Sequence, residues 1–236
     1  MKSVTSPIIA LFFMILILSP LKTYSQRIQA AVAAGFNTTN VQGDDVYGFR
    51  KFGPNAGLAA IVPFSEKIQG SLEIGYSAKG AFHKPNSRGM DYRKLHDYDG
   101  YKIILDYVEI PLMIHYQDKN RMNFGAGISY GRLVKVEEYE DRDVNSEKLE
   151  RVDSTTLEGP YNLSDISAVF AFRLPVYQSL RFDMRYIFSL ASIRERYFVN
   201  ADITRRQFNQ VLTFRLFYVI NEKASEKRRI ENTLGK

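Results

Sequence analysis

Lys67-Ile-Gln-Gly-Ser-Leu-Glu-Ile-Gly-Tyr-Ser-Ala-Lys79 changes character at every residue. One face carries Ile68, Gly70, Leu72, Ile74, Tyr76 and Ala78, and the other Gln69, Ser71, Glu73, Gly75, Ser77 and Lys79. A period of two is the mark of a β-strand whose side chains point alternately into two different surroundings. In a soluble sandwich or a lipocalin-like barrel, the polar face of such a strand meets water and is crowded with charge. Here that face is built from Gln, Gly and Ser with its charges far apart, while the apolar face runs the length of the strand and carries the ring of Tyr76. That combination fits a strand with lipid outside and a narrow, packed lumen inside better than one with water outside.

The same alternation recurs. Arg121–Leu133 sets Met122, Phe124, Ala126, Ile128 and Tyr130 against Asn123, Gly125, Gly127, Ser129 and Gly131. Leu180–Leu190 sets Leu180, Phe182, Met184, Tyr186 and Phe188 against Arg181, Asp183, Arg185 and Ser189, and Gln207–Tyr218 sets Phe208, Leu212, Phe214, Leu216 and Tyr218 against Gln207, Asn209, Thr213 and Arg215. Arg27–Asn37, Asn55–Phe64, Ile104–Tyr116 and Asp165–Val176 complete eight segments of about 10–13 residues, where a tilted membrane strand needs about 9–11. Short links at Ser65–Lys67, Asp118–Asn120 and Pro175–Ser179 alternate with long ones at Thr38–Gly53, Gly80–Lys102, Val136–Leu163 and Ser192–Arg206. Tight turns on one side and long loops on the other are the layout of an outer-membrane barrel, with the periplasm below and the exterior above. The expected fold is all-β, an eight-stranded antiparallel up-and-down transmembrane barrel. Phe64, Tyr116 and Tyr218 near the short turns, with Phe36 and Tyr76 near the long loops, supply interfacial rings in a chain of 15 Tyr and 16 Phe but no Trp.

The ends of the chain agree. Lys2 precedes the unbroken apolar run Ile8–Leu18, and Thr23 and Ser25 are small residues ahead of Gln26. This is the shape of a secretory signal peptide, since the run is well short of the roughly 20 residues of a membrane-spanning helix. The expected organisation is a signal peptide over 1–25, a barrel over 26–220 and a periplasmic tail over 221–236. With no Cys in its 236 residues the chain carries neither a disulfide nor a lipoprotein anchor. Loss of Lys2 and Lys22 with the signal peptide lowers the formal charge from +6 to +4, and no basic stripe points to nucleic acid.

Tyr107–Tyr116, YVEIPLMIHY, resembles the "YLEIPLLLKY" strand of the PorT-like outer-membrane β-barrel proteins of Bacteroidota. The similarity continues through Asn123–Gly131, NFGAGISYG, through Asp183–Leu190, DMRYIFSL, and through the closing NQVLTFRLFYVIN of Asn209–Asn221. The resemblance implies a barrel in the outer membrane; the family's namesake takes part in surface-protein secretion through the type IX system, while most of its relatives have no assigned role. No motif ties the chain to the secretion factor itself. The tail Asn221–Lys236 departs from barrels that end on a strand-terminal aromatic residue.

Candidate chemistry falls in two places. The lumen face carries Glu73, Glu109, His115, Arg173, Arg181, Asp183, Arg185 and Arg215. A carboxylate pair with a His could serve acid–base catalysis, but a barrel of this size is filled by its own side chains, so its charges must pair. Glu73 and Glu109, inward on adjacent strands, are expected to meet Arg185, with Arg181 or Arg215, in a structural network. At the loop rim, His83 and His96 with Asp91, Asp97, Asp99 and Ser87 are the sole hydrolase or metal candidates, without a spacing that defines either. No catalytic, cofactor or metal site is expected.

The loops differ in charge. Val136–Pro160 holds nine acidic residues against Arg142, Lys148 and Arg151, and reads as a solvated surface. Gly80–Lys102 combines Phe82, Tyr92, Tyr98 and Tyr101 with Lys84, Arg88, Arg93, Lys94 and Lys102, a composition suited to recognition. Tyr92, Arg93, Tyr98 and Tyr101 are the expected partner-binding residues. The expected partners are outer-membrane lipid and lipopolysaccharide, with a protein of a secretion or surface complex. The sequence thus points to a binding or assembly component, with a small-solute channel and a rim-active lipid or peptide hydrolase as alternatives.

Overall fold

The computed structural model describes residues 28–44, 48–83, 98–118, 121–142, 150–152, 160–198 and 203–220. The signal-peptide and tail segments expected from the sequence lie outside the described residues. Ten strands follow in order: β1 (Gln29–Gln42), β2 (Lys51–Pro63), β3 (Ile68–His83), β4 (Tyr98–Gln117), β5 (Asn123–Arg142), β6 (Glu150–Val152), β7 (Ser164–Tyr177), β8 (Leu180–Ser189), β9 (Arg194–Phe198) and β10 (Ile203–Ile220). Each barrel strand pairs antiparallel with the next, and β1 pairs with β10 from Ala30↔Ile220 to Gln42↔Phe208, so eight of them close a ring without edges. The short β6 and β9 lie outside the ring path, β6 on β5 and β9 on the upper part of β10. Closure matters in lipid because an unpaired backbone group there has no water to bond.

The two faces take the surroundings their alternation implies. Leu72 and Ile74 on β3, Leu112 and Ile114 on β4, and Ile128 on β5 point outward and are more than half exposed, so lipid is their only cover. Their in-strand neighbours Ser71, Glu73, Met113, His115 and Ser129 turn inward and are buried. Three short turns close one end at 64–67, 118–122 and Gln178–Ser179; two of them bend through a residue with positive φ, Arg121 and Gln178.

At the other end the strands run further than the sequence pattern suggests. β5 continues to Arg142, and β4 begins at Tyr98 rather than near Ile104. The reason is an inversion of polarity. Within the lipid belt the wall is apolar outside and polar inside. Above it Ile103, Leu105, Leu133 and Val136 are buried inside, while Lys102 and Lys135 face out. The upper wall is therefore built like a soluble barrel, with water on its outer surface. A bulge on β5 falls at Val134, where Leu133 pairs with Tyr107 but Lys135 with Asp106, so the inward positions change from odd to even numbers.

Candidate functional site

Inward side chains pack the lumen in layers that follow position along the strands. Lowest lies an apolar layer of Ala31, Ala33, Ala59, Ile61, Phe217 and Val219. Next comes an ion cluster. Glu73 accepts from Arg173 Nη2 at 3.1 Å, from Arg215 Nη2 at 2.6 Å and from Arg185 Nη2. Asp183 accepts from the Nε of Arg173 and Arg185, both at 2.9 Å, and from that of Arg215 at 2.7 Å. Each carboxylate thus bridges the same three guanidinium groups, and Arg173 also lies over the Phe217 ring at 4.0 Å. Close by, Ser71 Oγ meets His115 Nε2 at 2.9 Å.

A second apolar layer, Met113, Val169, Ala171, Ile187 and Val211, leads upward to a second ion group. Lys79 Nζ lies 2.6 Å from Glu109 Oε1 and 3.0 Å from Asp165 Oδ2, and Asn209 Nδ2 donates to the same Asp165 oxygen at 3.0 Å. The lower cluster has one cation in excess and the upper one carboxylate in excess, so together the eight charges of Glu73, Lys79, Glu109, Asp165, Arg173, Asp183, Arg185 and Arg215 balance. Above them a larger apolar cluster, including Ile103, Leu105, Leu133, Val136, Tyr161 and Ile193, fills the upper barrel.

Glycines make this packing fit. The chain places Gly57 opposite Gly75 and Gly131 opposite Glu109, next to the ion layers. At Pro111, which has no N–H to give, the β3–β4 ladder skips from Leu72↔Leu112 to Gly75↔Glu109. A cavity of about 20 Å³, room for one water molecule, lies at this seam against Glu73, Glu109, Arg185 and Arg215.

A third polar group caps the top. Arg194 grips Glu138 through Nη1 at 2.7 Å and Nη2 at 2.9 Å, Arg196 adds a contact at 3.1 Å, and the Tyr161 hydroxyl donates to Glu138 at 2.9 Å. Glu138 lies six residues past Arg132, the first outward charge above the belt on β5, and so clear of the lipid. Burial tends to raise its carboxyl, but the hydrogen bond and charge of Arg194, with the charge of Arg196, carry it below the ordinary glutamate range. Burial pushes the Tyr161 phenol well above its usual value.

The structure brings Glu73, Arg185 and Arg215 together, and Arg173 and Asp183 complete their cluster. Glu109 turns instead to Lys79. Arg181 is buried two positions before Asp183, towards the short turns, and faces Pro175 and Phe217 in the ladders. Tyr98 and Tyr101 belong to the upper end of β4 rather than to a loop; their side chains, like Tyr92 and Arg93, lie outside the described residues. So do the side chains of His83, Ser87, Asp91, His96, Asp97 and Asp99. Among the described residues no group of three or more His, Asp or Glu is placed to hold a metal ion. Glu138 falls within the acidic segment expected to be solvated, yet it is buried; its burial follows from the bulge at Val134, which shifts the inward positions of β5.

A closed antiparallel ring, apolar outside and charged within, defines an outer-membrane β-barrel protein. The chain belongs to the family described as the outer membrane protein beta-barrel domain, whose profile matches residues 21–195. Among solved structures the chain is similar to Ail, the attachment invasion locus protein of Yersinia pestis, with 8% identity, a TM-score of 0.44 and coverage of 82% of this chain and 99% of that one. Neisserial surface protein A gives 7%, 0.41, 80% and 96%, and OprG of Pseudomonas aeruginosa 10%, 0.39, 83% and 97%, in the same order. No curated protein sequence matches the chain significantly.

Proposed function

We propose that this barrel is a binding or assembly component of the outer membrane that works through its loops or tail, and that its lumen is a structural core. The observation that carries this reading is the burial of the lumen charges. Arg173, Asp183 and Lys79 are 0% exposed, whereas a water-filled pore would leave such groups wet. A partner must therefore meet the surface. On the extracellular side the aromatic and cationic residues Tyr92, Arg93, Tyr98 and Tyr101 are the proposed contacts, because Tyr offers area at low entropy cost and Arg a planar fork for anionic groups. No catalytic role is assigned to the rim histidines.

Crosslinking in cells followed by mass spectrometry tests the proposal. Replacing those four residues with Ser is expected to preserve insertion and lower partner recovery. Loss of recovery on deleting Asn221–Lys236 instead would move the working surface to the tail. Capture that survives both changes would overturn the reading. The finer placement, among PorT-like proteins serving type IX secretion, rests on the Glu109-Ile110-Pro111 strand. It predicts that a deletion strain retains secreted cargo, and normal export would rule it out without touching the binding role.

A further inference from the structure

The outer surface just above the lipid belt carries a group of charges that neither the lumen nor the loops account for. On β5 the belt ends at Tyr130, 46% exposed, and the next outward residue is Arg132, also exposed. The bulge keeps Lys135 outward as well, with its side chain 53% exposed beside Glu137 at 3.0 Å. Across the ladder Lys135 stands opposite Asp106 of β4, which accepts a hydrogen bond from the Tyr76 hydroxyl of β3. Further up β4, Lys102 is exposed on the same face. Three outward cations, Arg132, Lys135 and Lys102, thus share this flank with Glu137 and Asp106, and Asp106 is engaged by Tyr76.

Immediately below lies bare apolar wall: Val108 and Ile110 on β4, Ile128 and Tyr130 on β5. The two zones match the two halves of a lipid whose headgroup is anionic. Acyl chains would lie along the wall, and a headgroup phosphate would come to the depth of Arg132 and Lys135. A soluble anion would gain the charge but not the wall. We propose that this flank of β4 and β5 binds the phosphorylated headgroup of an outer-leaflet glycolipid, with Arg132 and Lys135 holding phosphate and Lys102 meeting the headgroup from above. Arg132 suits the part because its planar fork can give two parallel hydrogen bonds to one phosphate. The site is separate from the loop surface proposed above and stands without it.

Native mass spectrometry of the full mature chain, refolded in zwitterionic micelles with either diphosphorylated lipid A or its phosphate-free analogue, reads this directly. The wild-type barrel is expected to keep the phosphorylated lipid about tenfold or more over the analogue, and to lose that preference as salt rises. The R132Q/K135Q/K102Q variant is expected to lose the preference while still shifting on gels with heating, whereas R132K, which keeps the charge but not the fork, keeps only part of it. Equal retention of the two lipids by the wild type, or a preference untouched by salt, would overturn the site. So would an undiminished preference in the folded triple variant. If that variant does not fold, R132Q alone and the wild-type salt series still decide.

Discussion

Replacing Glu73 with Gln removes one negative charge from the lower lumen cluster while keeping the side chain's size. Three guanidinium groups, those of Arg173, Arg185 and Arg215, now share Asp183 alone. Taking away one partner of a buried ion pair costs about 3–5 kcal/mol. The Gln carbonyl can still accept one of the lost hydrogen bonds, which places the expected loss near the lower figure, about 3 kcal/mol. At a urea dependence of about 1–3 kcal/mol per molar, the unfolding midpoint should fall by roughly 1–3 M. With no Trp to report on folding, the folded fraction is best followed by heat-dependent gel migration or circular dichroism of barrels in lipid vesicles. Glu109→Gln is the internal control. Its cation Lys79 keeps Asp165 at 3.0 Å, so its midpoint should move clearly less. An unchanged midpoint for Glu73→Gln, or equal shifts for the two variants, would refute the view that the shared guanidinium cluster holds the lumen together.

Planar-bilayer recordings should show no steady large conductance, and a stable open-pore current would favour the channel alternative. Gly35→Val should block formation of the heat-modifiable barrel, because a Cβ there would run into the Phe214 carbonyl oxygen in the β1–β10 seam. The lowered carboxyl of Glu138 makes its contribution to stability complete above the ordinary glutamate range and lost as pH falls through its folded value. Protease sensitivity of the rim should therefore rise as pH falls below the ordinary glutamate range, about 4.3, and Glu138→Gln should flatten that rise. Processing should cut between Ser25 and Gln26, and a tag after Lys236 should stay hidden on intact cells; exposure of the tag would contradict the even strand count.

Much of the wall was legible because lipid and lumen differ so sharply. Leu72, Glu73 and Ile74 announce their sides by chemistry alone, and so do Phe182, Asp183 and Met184. What the sequence concealed lies where the surroundings change. Ile103, Leu105 and Lys102 still alternate, but with apolar residues inside, so the upper wall reads as loop to an eye set for lipid outside. Lys79 closes the lumen-facing side of the alternating run over Lys67–Lys79, but nothing in that pattern marks it as the centre of the upper ion group. Glu138 was hidden by a single extra residue at Val134. The Glu109–Lys79 pairing was out of reach for a different reason, since period two assigns a face but not which neighbours meet within it.

The balanced lumen charges bear on how the ring finds its alignment. Slide β10 by two residues against β1 and the lipid side scarcely notices, for Phe214, Leu216 and Tyr218 are interchangeable to a hydrocarbon solvent. Period-two patterning penalises only odd slips. Inside, the same slide would carry Arg215 off Asp183 and Glu73 and present Thr213 or Phe217 in its place. The ions therefore act as a proofreader of the closing seam: a misaligned barrel can be perfectly comfortable in the membrane and still be rejected by its own interior.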